Sequence, residues 1–118
     1  MRRAIVQEDR ERLERLLEAY LRRCFASQSA ARAGEFAASL SKSSSYLARE
    51  FPRILGQSVL RALRSRQVTH AEHLLRTTSR STRDIALAAA FGTQATFYRV
   101  FRTLRGMTPR EYRKRFTK

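Results

Sequence analysis

The sequence predicts an all-α protein of seven helices: two similar three-helix lobes joined by a long linker helix. Three observations carry this. Apolar residues recur at helical spacing along the chain, and no stretch alternates in the way a half-buried strand would. Serine, threonine, glycine and proline stand where helix caps and breaks are needed. A group of residues also repeats at an offset of 50 positions.

Leu13, Leu16, Leu17, Tyr20, Leu21 and Cys24 fall on one face of a first helix, expected over about 8–25 and packed on the domain. Residues 26–32 (ASQSAAR) read as a polar connector, and 35–40 as a short second helix. Ser43 is placed to cap a third helix, with Leu47 and Phe51 on its buried face. Pro52 removes a donor and clashes with the preceding turn, so this helix is expected to end or kink near Phe51. Gly56 breaks the chain, and Ser58 caps the linker helix, which runs to about Arg76. Its expected buried stripe is Val59, Ala62, Leu63, Ala71, Leu74 and Leu75. Ser81-Thr82-Arg83-Asp84 reads as a capping box opening a short helix over 85–90. Thr93 caps the next helix, whose inward residues are Phe97, Val100, Phe101 and Leu104. After Gly106, Thr108-Pro109-Arg110-Glu111 combines a cap, a proline at the first helical position and a box glutamate. The expected lobes span about 8–57 and 79–118, with the linker over about 58–76, inside one domain covering 8–118.

The 118 residues carry 25 Lys+Arg against 10 Asp+Glu, a formal net charge of +15 and a pI near 11.6. The charge is uneven: residues 1–30 hold a net +2 and residues 31–118 a net +13. Such a field favours polyanions and opposes the association of like faces, so the domain is expected to be a monomer. Of the basic residues 22 are arginine, whose planar fork pairs with phosphate or with the O6/N7 edge of guanine. At 42% hydrophobic residues the chain is able to fold, which excludes a wholly disordered basic tail. No run of apolar residues is long enough to span a membrane, and no signal-peptide core follows Arg2 and Arg3. The lone Cys24 makes no intramolecular disulfide. A cytoplasmic protein is expected.

Within the repeat, Arg49, Phe51, Gly56 and Ser58 recur as Arg99, Phe101, Gly106 and Thr108, and Leu47 answers to Phe97. Upstream, Ala37 and Ala86 each fall in a short helix, ten and eleven residues before those apolar anchors. Each copy reads as short helix, tight turn, capped second helix, glycine and capped third helix. That is the helix-turn-helix outline, with a small residue where its helices cross. Two copies are too few for a helical solenoid.

These residues resemble the DNA-binding domain of the AraC/XylS family of bacterial transcription regulators. The match is strongest over Ile85-Ala86, Phe91, Phe97-Tyr98-Arg99-Val100-Phe101, Gly106-Met107-Thr108-Pro109 and Tyr112-Arg113. In the first half Ser43, Leu47, Phe51, Gly56 and the Ala71…Leu74-Leu75 ending agree, and coverage runs over about 9–116. The resemblance implies two helix-turn-helix lobes on a rigid linker helix, each placing a recognition helix in a major groove of double-stranded DNA. It further implies transcription activation through RNA polymerase. The sequence departs from the family at Ala90, where the second turn favours glycine, with Ser41 as its first-lobe counterpart. Thr82 replaces an aliphatic residue, and Pro52 is unusual in a recognition helix.

On the second recognition helix the outward face carries Gln94, Ala95, Tyr98, Arg99 and Arg102. Residues near the helix N-terminus reach deepest into the groove. Gln94 suits an adenine edge, Ala95 a thymine methyl, and Arg99 a guanine edge or a phosphate. Tyr98 faces either DNA or the protein. The first recognition helix presents Ser44, Ser45, Ala48 and Arg49; its serines discriminate weakly, so this lobe is expected to contribute less specificity. Phosphate contacts are expected from Lys42, Ser43, Arg53, Thr93, Arg102 and Arg110, with Arg76, Arg80 and Arg83 near the linker end as further candidates.

Other chemistry is thin. His70 and His73 share a helix face without an evident third ligand, so no metal and no cofactor is expected. Cys24 reads as a buried structural thiol. Ser43-Ser44-Ser45 is a helix start with no histidine nearby, and phosphate-loop and dinucleotide motifs are missing, so no enzyme is expected. The sequence supports a sequence-specific regulator of transcription, either a complete stand-alone protein or the DNA-binding part of a longer one. Two alternatives stay open: a non-specific architectural or RNA-binding protein, and an interaction module for an acidic partner.

Overall fold

A computed structural model describes the backbone of residues 2–116 and the side chains from residue 9 to residue 116, apart from that of Ser44. Among these residues seven helices follow one another: α1 Arg2–Ser27, α2 Ala33–Ser39, α3 Ser44–Leu55, α4 Val59–Thr77, α5 Thr82–Ala88, α6 Gln94–Arg105 and α7 Pro109–Phe116.

Local chemistry sets most of the boundaries. The hydroxyls of Ser43, Ser58, Ser81 and Thr93 accept the backbone N–H three residues on, at 3.0–3.1 Å, and so open α3, α4, α5 and α6. Thr108 and Glu111 form a full capping box at the start of α7: Glu111 N–H donates to Thr108 Oγ1 and Thr108 N–H to Glu111 Oε1. Helices α3 and α6 stop at Gly56 and Gly106, each at φ +75, a conformation glycine accepts freely.

Several boundaries differ from expectation. α2 and α5 span Ala33–Ser39 and Thr82–Ala88 where 35–40 and 85–90 were expected. For α5 this is because the Ser81 cap starts it at Thr82, and Ala89 and Ala90 belong to the turn. α1 is longer at both ends than 8–25, because nothing breaks it before Ser27; the chain leaves it through Gln28 at φ +55. α3 passes through Pro52 and ends at Leu55, where a stop or kink near Phe51 was expected. Pro52 removes only the bond its own N–H would make to the Ala48 carbonyl. It lies in the last turn, and its carbonyl accepts Gly56 N–H at 2.9 Å, so the helix closes normally behind it.

The two turns of the repeat are built alike. Ala37 and Ala86, each 1% exposed, let α2 and α5 lie close to the helices that follow. Their carbonyls accept Lys42 N–H and Phe91 N–H at 3.1 and 2.9 Å, closing matching turns. Ser41 and Ala90 occupy the left-handed position of these turns, at φ +57 and +64. The second turn then uses one more residue, Gly92 at φ +81, before its cap.

α4 joins two apolar clusters. Val59, Ala62 and Leu63 on its first half pack with Leu17, Leu21, Phe36, Leu47 and Phe51. Val68, Ala71 and Leu75 on its second half pack with Ile85, Phe91, Phe97, Phe101 and Tyr112. Of the expected stripe only Leu74 is incompletely buried; Gln67 and Val68, absent from that expectation, are fully buried. The C-terminal end of α4 is tied to α7. Arg76 donates to Tyr112 OH at 2.7 Å, and the Arg113 guanidinium donates to the carbonyls of Leu75, Thr78 and Arg80. Arg105 on α6 closes on Glu72 through two bonds of 3.0 Å. The molecule measures 50 × 25 × 20 Å.

Candidate nucleic-acid interface

α6 turns Phe97, Val100 and Phe101 into the core, which leaves Gln94, Ala95, Arg99 and Arg102 exposed on its other face. Gln94 occupies the first helical position, where a side chain projects from the N-terminal end. Its Nε2 donates to Thr82 Oγ1 at 2.9 Å, and Tyr98 OH donates to the same oxygen at 3.4 Å. Thr82 therefore anchors two side chains of the neighbouring helix, a function an aliphatic residue at this position lacks. Tyr98 is partly buried: its ring packs against Phe97 in a T-shaped contact at 6.0 Å, and its hydroxyl reaches Thr82.

α3 buries Leu47 and Phe51 and exposes Ser45, Ala48 and Arg49. Ser44 lies in the helix, but its side chain is outside the described residues. Arg49 is engaged on two sides, 3.5 Å from Glu50 and with its guanidinium 5.8 Å over the Tyr46 ring. Glu50 also holds Arg53 at 3.5 Å, and Lys42 Nζ lies 4.9 Å over the same Tyr46 ring. The sequence reading passed over Tyr46. It is 38% exposed and carries two cations, so this face is richer than two serines and an alanine suggest.

The repeat-related arginines thus sit in unlike surroundings. Arg49 has a carboxylate beside it, whereas Arg99 has another cation. Arg99, Arg61 and Arg64 line a groove of about 360 Å³ between the start of α4 and α6, with Ser58, Leu60, Val100, Thr103 and Leu104. No acidic residue lines it. Arg64 is half-buried; it donates to Gln67 Oε1 at 3.2 Å and stacks 5.7 Å over the Phe91 ring. Burial, and then the Arg99 charge, pull its pKa below the ordinary arginine value. The guanidinium stays charged, so this groove concentrates incompletely solvated positive charge and is suited to an anion. The sequence reading omitted Arg61 and Arg64. Their spacing of three on one helix face was legible, but their proximity to Arg99 depends on the fold.

Lys42, Arg53, Arg102 and Arg110 are exposed, as are the capping residues Ser43 and Thr93, whose hydroxyls stand at the N-termini of α3 and α6. Arg102 also faces Glu111, whose carboxyl is held below its usual pKa chiefly by hydrogen bonds from Thr108 and less by Arg102. Among the linker-end arginines, Arg76 is committed to Tyr112, while Arg83 is exposed.

The remaining candidates resolve into packing. His70 stacks flat on Phe25, ring centroids 4.1 Å apart, and so joins α4 to α1. Among the described residues no three His, Cys, Asp or Glu side chains are grouped to hold a metal ion. Cys24 is 3% exposed in the first cluster. No described helix is long and apolar enough to cross a membrane.

Comparison with known proteins fits this geometry. The family described as the helix-turn-helix domain matches residues 36–115. The regulatory protein SoxS of Salmonella typhimurium is 40% identical over 70 residues, covering 59% of this chain and 65% of SoxS. Two longer curated relatives of Escherichia coli match over 22% and 21% of their length, so the chain spans about a fifth of each. The C-terminal domain of AraT, a response regulator from Geobacillus stearothermophilus, superposes with a TM-score of 0.75 at 26% identity, over 97% of this chain and 87% of that one. The DNA-binding domain of AdpA, solved in complex with a target DNA, superposes at 0.72 with 23% identity, over 85% and 91% of the two chains.

Proposed function

The chain belongs to the AraC-type helix-turn-helix domain family, and on that premise we propose that it is a sequence-specific reader of double-stranded DNA that regulates transcription. α3 and α6 enter successive major grooves of one duplex. The observation that carries this reading is the repeated unit itself. Two short-helix, turn, capped-helix units flank one continuous α4, and each presents an exposed polar and cationic face. The 50 Å length of the molecule accommodates two reading helices about one DNA turn apart, roughly 34 Å.

In α6, Gln94 and Arg99 read base edges, Ala95 meets a thymine methyl, and the Tyr98 hydroxyl lies at the margin of the groove. In α3, Arg49 is the principal reader, with Ser44, Ser45 and Ala48 beside it. Lys42, Ser43, Arg53, Thr93, Arg102 and Arg110 hold phosphates on either side. Arg61 and Arg64 extend that set into the groove beside Arg99, where a phosphate supplies the counter-charge the protein lacks. The N–H groups at the starts of α3 and α6 favour anions in the same way. The domain works as a monomer in the bacterial nucleoid and, as an activator, contacts RNA polymerase.

Competition between a selected duplex and random duplex at fixed salt tests the reading. A specific reader prefers its site by about 10³-fold or more. Its affinity also falls by about 10³–10⁵-fold between 50 and 200 mM salt if six to ten phosphates are neutralised. A competition ratio near one makes the protein a non-specific nucleic-acid binder. Weak retention on DNA at physiological salt, beside tight binding to an acidic protein, makes it an interaction module.

A further inference from the structure

Gln67 is the one polar side chain fully buried among the described residues. A buried amide is costly unless its hydrogen bonds are made, and both bonds of the Gln67 NH₂ group lead to the meeting point of the two lobes. Nε2 donates to the Ala90 carbonyl at 2.7 Å and to the Ala89 carbonyl at 3.1 Å, and Oε1 accepts from Arg64. The Ala90 carbonyl also accepts Ala31 N–H, at 2.9 Å, from the connector between α1 and α2.

Ala90 itself is unusual. It holds the left-handed position of the second turn at φ +64, which costs a residue with a Cβ and which glycine adopts freely. Its methyl group is fully buried, and it belongs to the first lobe's apolar cluster although the residue lies in the second lobe's turn. Two residues further on, a Cβ at Gly92 would come within 3.1 Å of the Ala30 Cβ, so the two backbones meet closely here.

The position of this contact matters. Ala90 lies three residues before Thr93, the cap of α6, and Ala31 lies two residues before α2 begins. The Ala90 carbonyl therefore joins the connector before α2 and the middle of α4 at one point, three residues before the cap of the second reading helix. Without this junction each lobe keeps its own packing on α4, but the Ala31–Ala90 bond between the lobes is lost and the second lobe gains freedom to roll by small angles about the α4 axis. A change of one base pair in half-site separation rotates one groove by about a tenth of a turn relative to the other, so such rolling is the motion that would accommodate it.

We propose that Gln67, Ala90 and Ala31 form a clasp that fixes the separation and twist of the two reading helices, making Gln67 and Ala90 positioning residues that set which half-site spacing the protein accepts. This rests on the two-helix reading of DNA argued above.

The test pairs a DNA readout with one that needs no DNA. Nitroxide labels on Glu18→Cys and Lys114→Cys, both exposed, report the distance between lobes in the free full-length chain. Gln67→Leu removes the amide at similar volume; Ala90→Gly removes the methyl while relaxing the turn. In the otherwise unsubstituted chain the distance distribution is narrow, and one inserted base pair between half-sites lowers affinity at least about a hundredfold, the worth of two base pairs of readout. In either variant, shown to be helical by circular dichroism, the distribution broadens and the penalty falls to below about tenfold. If both variants fold and keep the narrow distribution and the full spacing penalty, the clasp has no such role. If the parent chain shows no sequence preference, the DNA reading fails, and the distance distributions still decide whether the clasp holds the lobes.

Discussion

The Gln94 amide donates to the Thr82 hydroxyl at 2.9 Å, so a side chain projecting from the first turn of α6 is already oriented before any DNA is present. Ordering a long side chain on binding is costly, and a contact made in advance lowers that cost. Thr82→Val keeps the shape at residue 82 and removes the acceptor. The expected result is an intact fold with relaxed preference at one base pair, the one proposed for Gln94, measured by binding to duplexes varied at each position. An unchanged preference profile would show that Thr82 does not set the Gln94 orientation.

Arg49 and Arg99 are related by the internal repeat but differ in their neighbours, Glu50 in one case and Arg64 in the other. Arg99→Ala is expected to cost about 1–3 kcal/mol of binding and to relax specificity at one base pair. Arg49→Ala is expected to cost less, because the proposed DNA contact would take Arg49 partly away from Glu50. Equal losses in affinity titrations would mean that the neighbouring charges do not matter.

Arg105 and Glu72 form a two-point pair between α6 and α4, and the Glu72 side chain is only 16% exposed. Arg105→Ala leaves that carboxylate without its donors, and the expected loss of folding stability is about 1–3 kcal/mol. Arg105→Lys is expected to recover only part, since an ammonium cannot present two parallel donors. Denaturant melts of the three proteins check this; a neutral Arg105→Ala substitution contradicts it.

Much of this architecture was legible because its determinants are local. Ser43, Ser58, Ser81, Thr93 and Thr108 each cap the helix assigned to them, and Gly56 and Gly106 each end one. A cap bond spans three residues, so its chemistry is written in consecutive letters. Pro52 misled because a proline's effect depends on its distance from the helix end. Gln67 escaped notice because its partners, Ala89 and Ala90, lie 22 and 23 residues away. Nothing nearby marks a glutamine as buried. In the candidate interface, outward faces followed from periodicity, which is why Gln94, Arg99 and Arg49 stand exposed. The Tyr46 ring between Lys42 and Arg49 follows a spacing of four and three and was open to the same reasoning, whereas the pairing of Gln94 with Thr82 and the company Arg64 keeps with Arg99 arise between separate helices. Periodicity carries no information about those.

His70 lies flat on Phe25, and its pKa is lowered from the usual 6.5 by burial first and then by the charges of His73 and Arg80. The unfolded chain therefore binds a proton at this residue more readily than the folded one. The stability is fully present above the unfolded pKa and is lost as pH falls through the folded value. The melting temperature is expected to be lower near about pH 5 than near about pH 7.5, and His70→Phe, which keeps a stacking ring, is expected to narrow that difference. Identical pH responses would show that His70 contributes nothing to it.

Selection of the full chain against a library of random duplexes at one fixed salt concentration tests the central claim most directly. Two helices reading one duplex predict a bipartite site whose half-sites recur at one fixed separation, about 10–10.5 base pairs centre to centre. Enrichment of one short site with no partner at a set distance, or no enrichment at all, would contradict it.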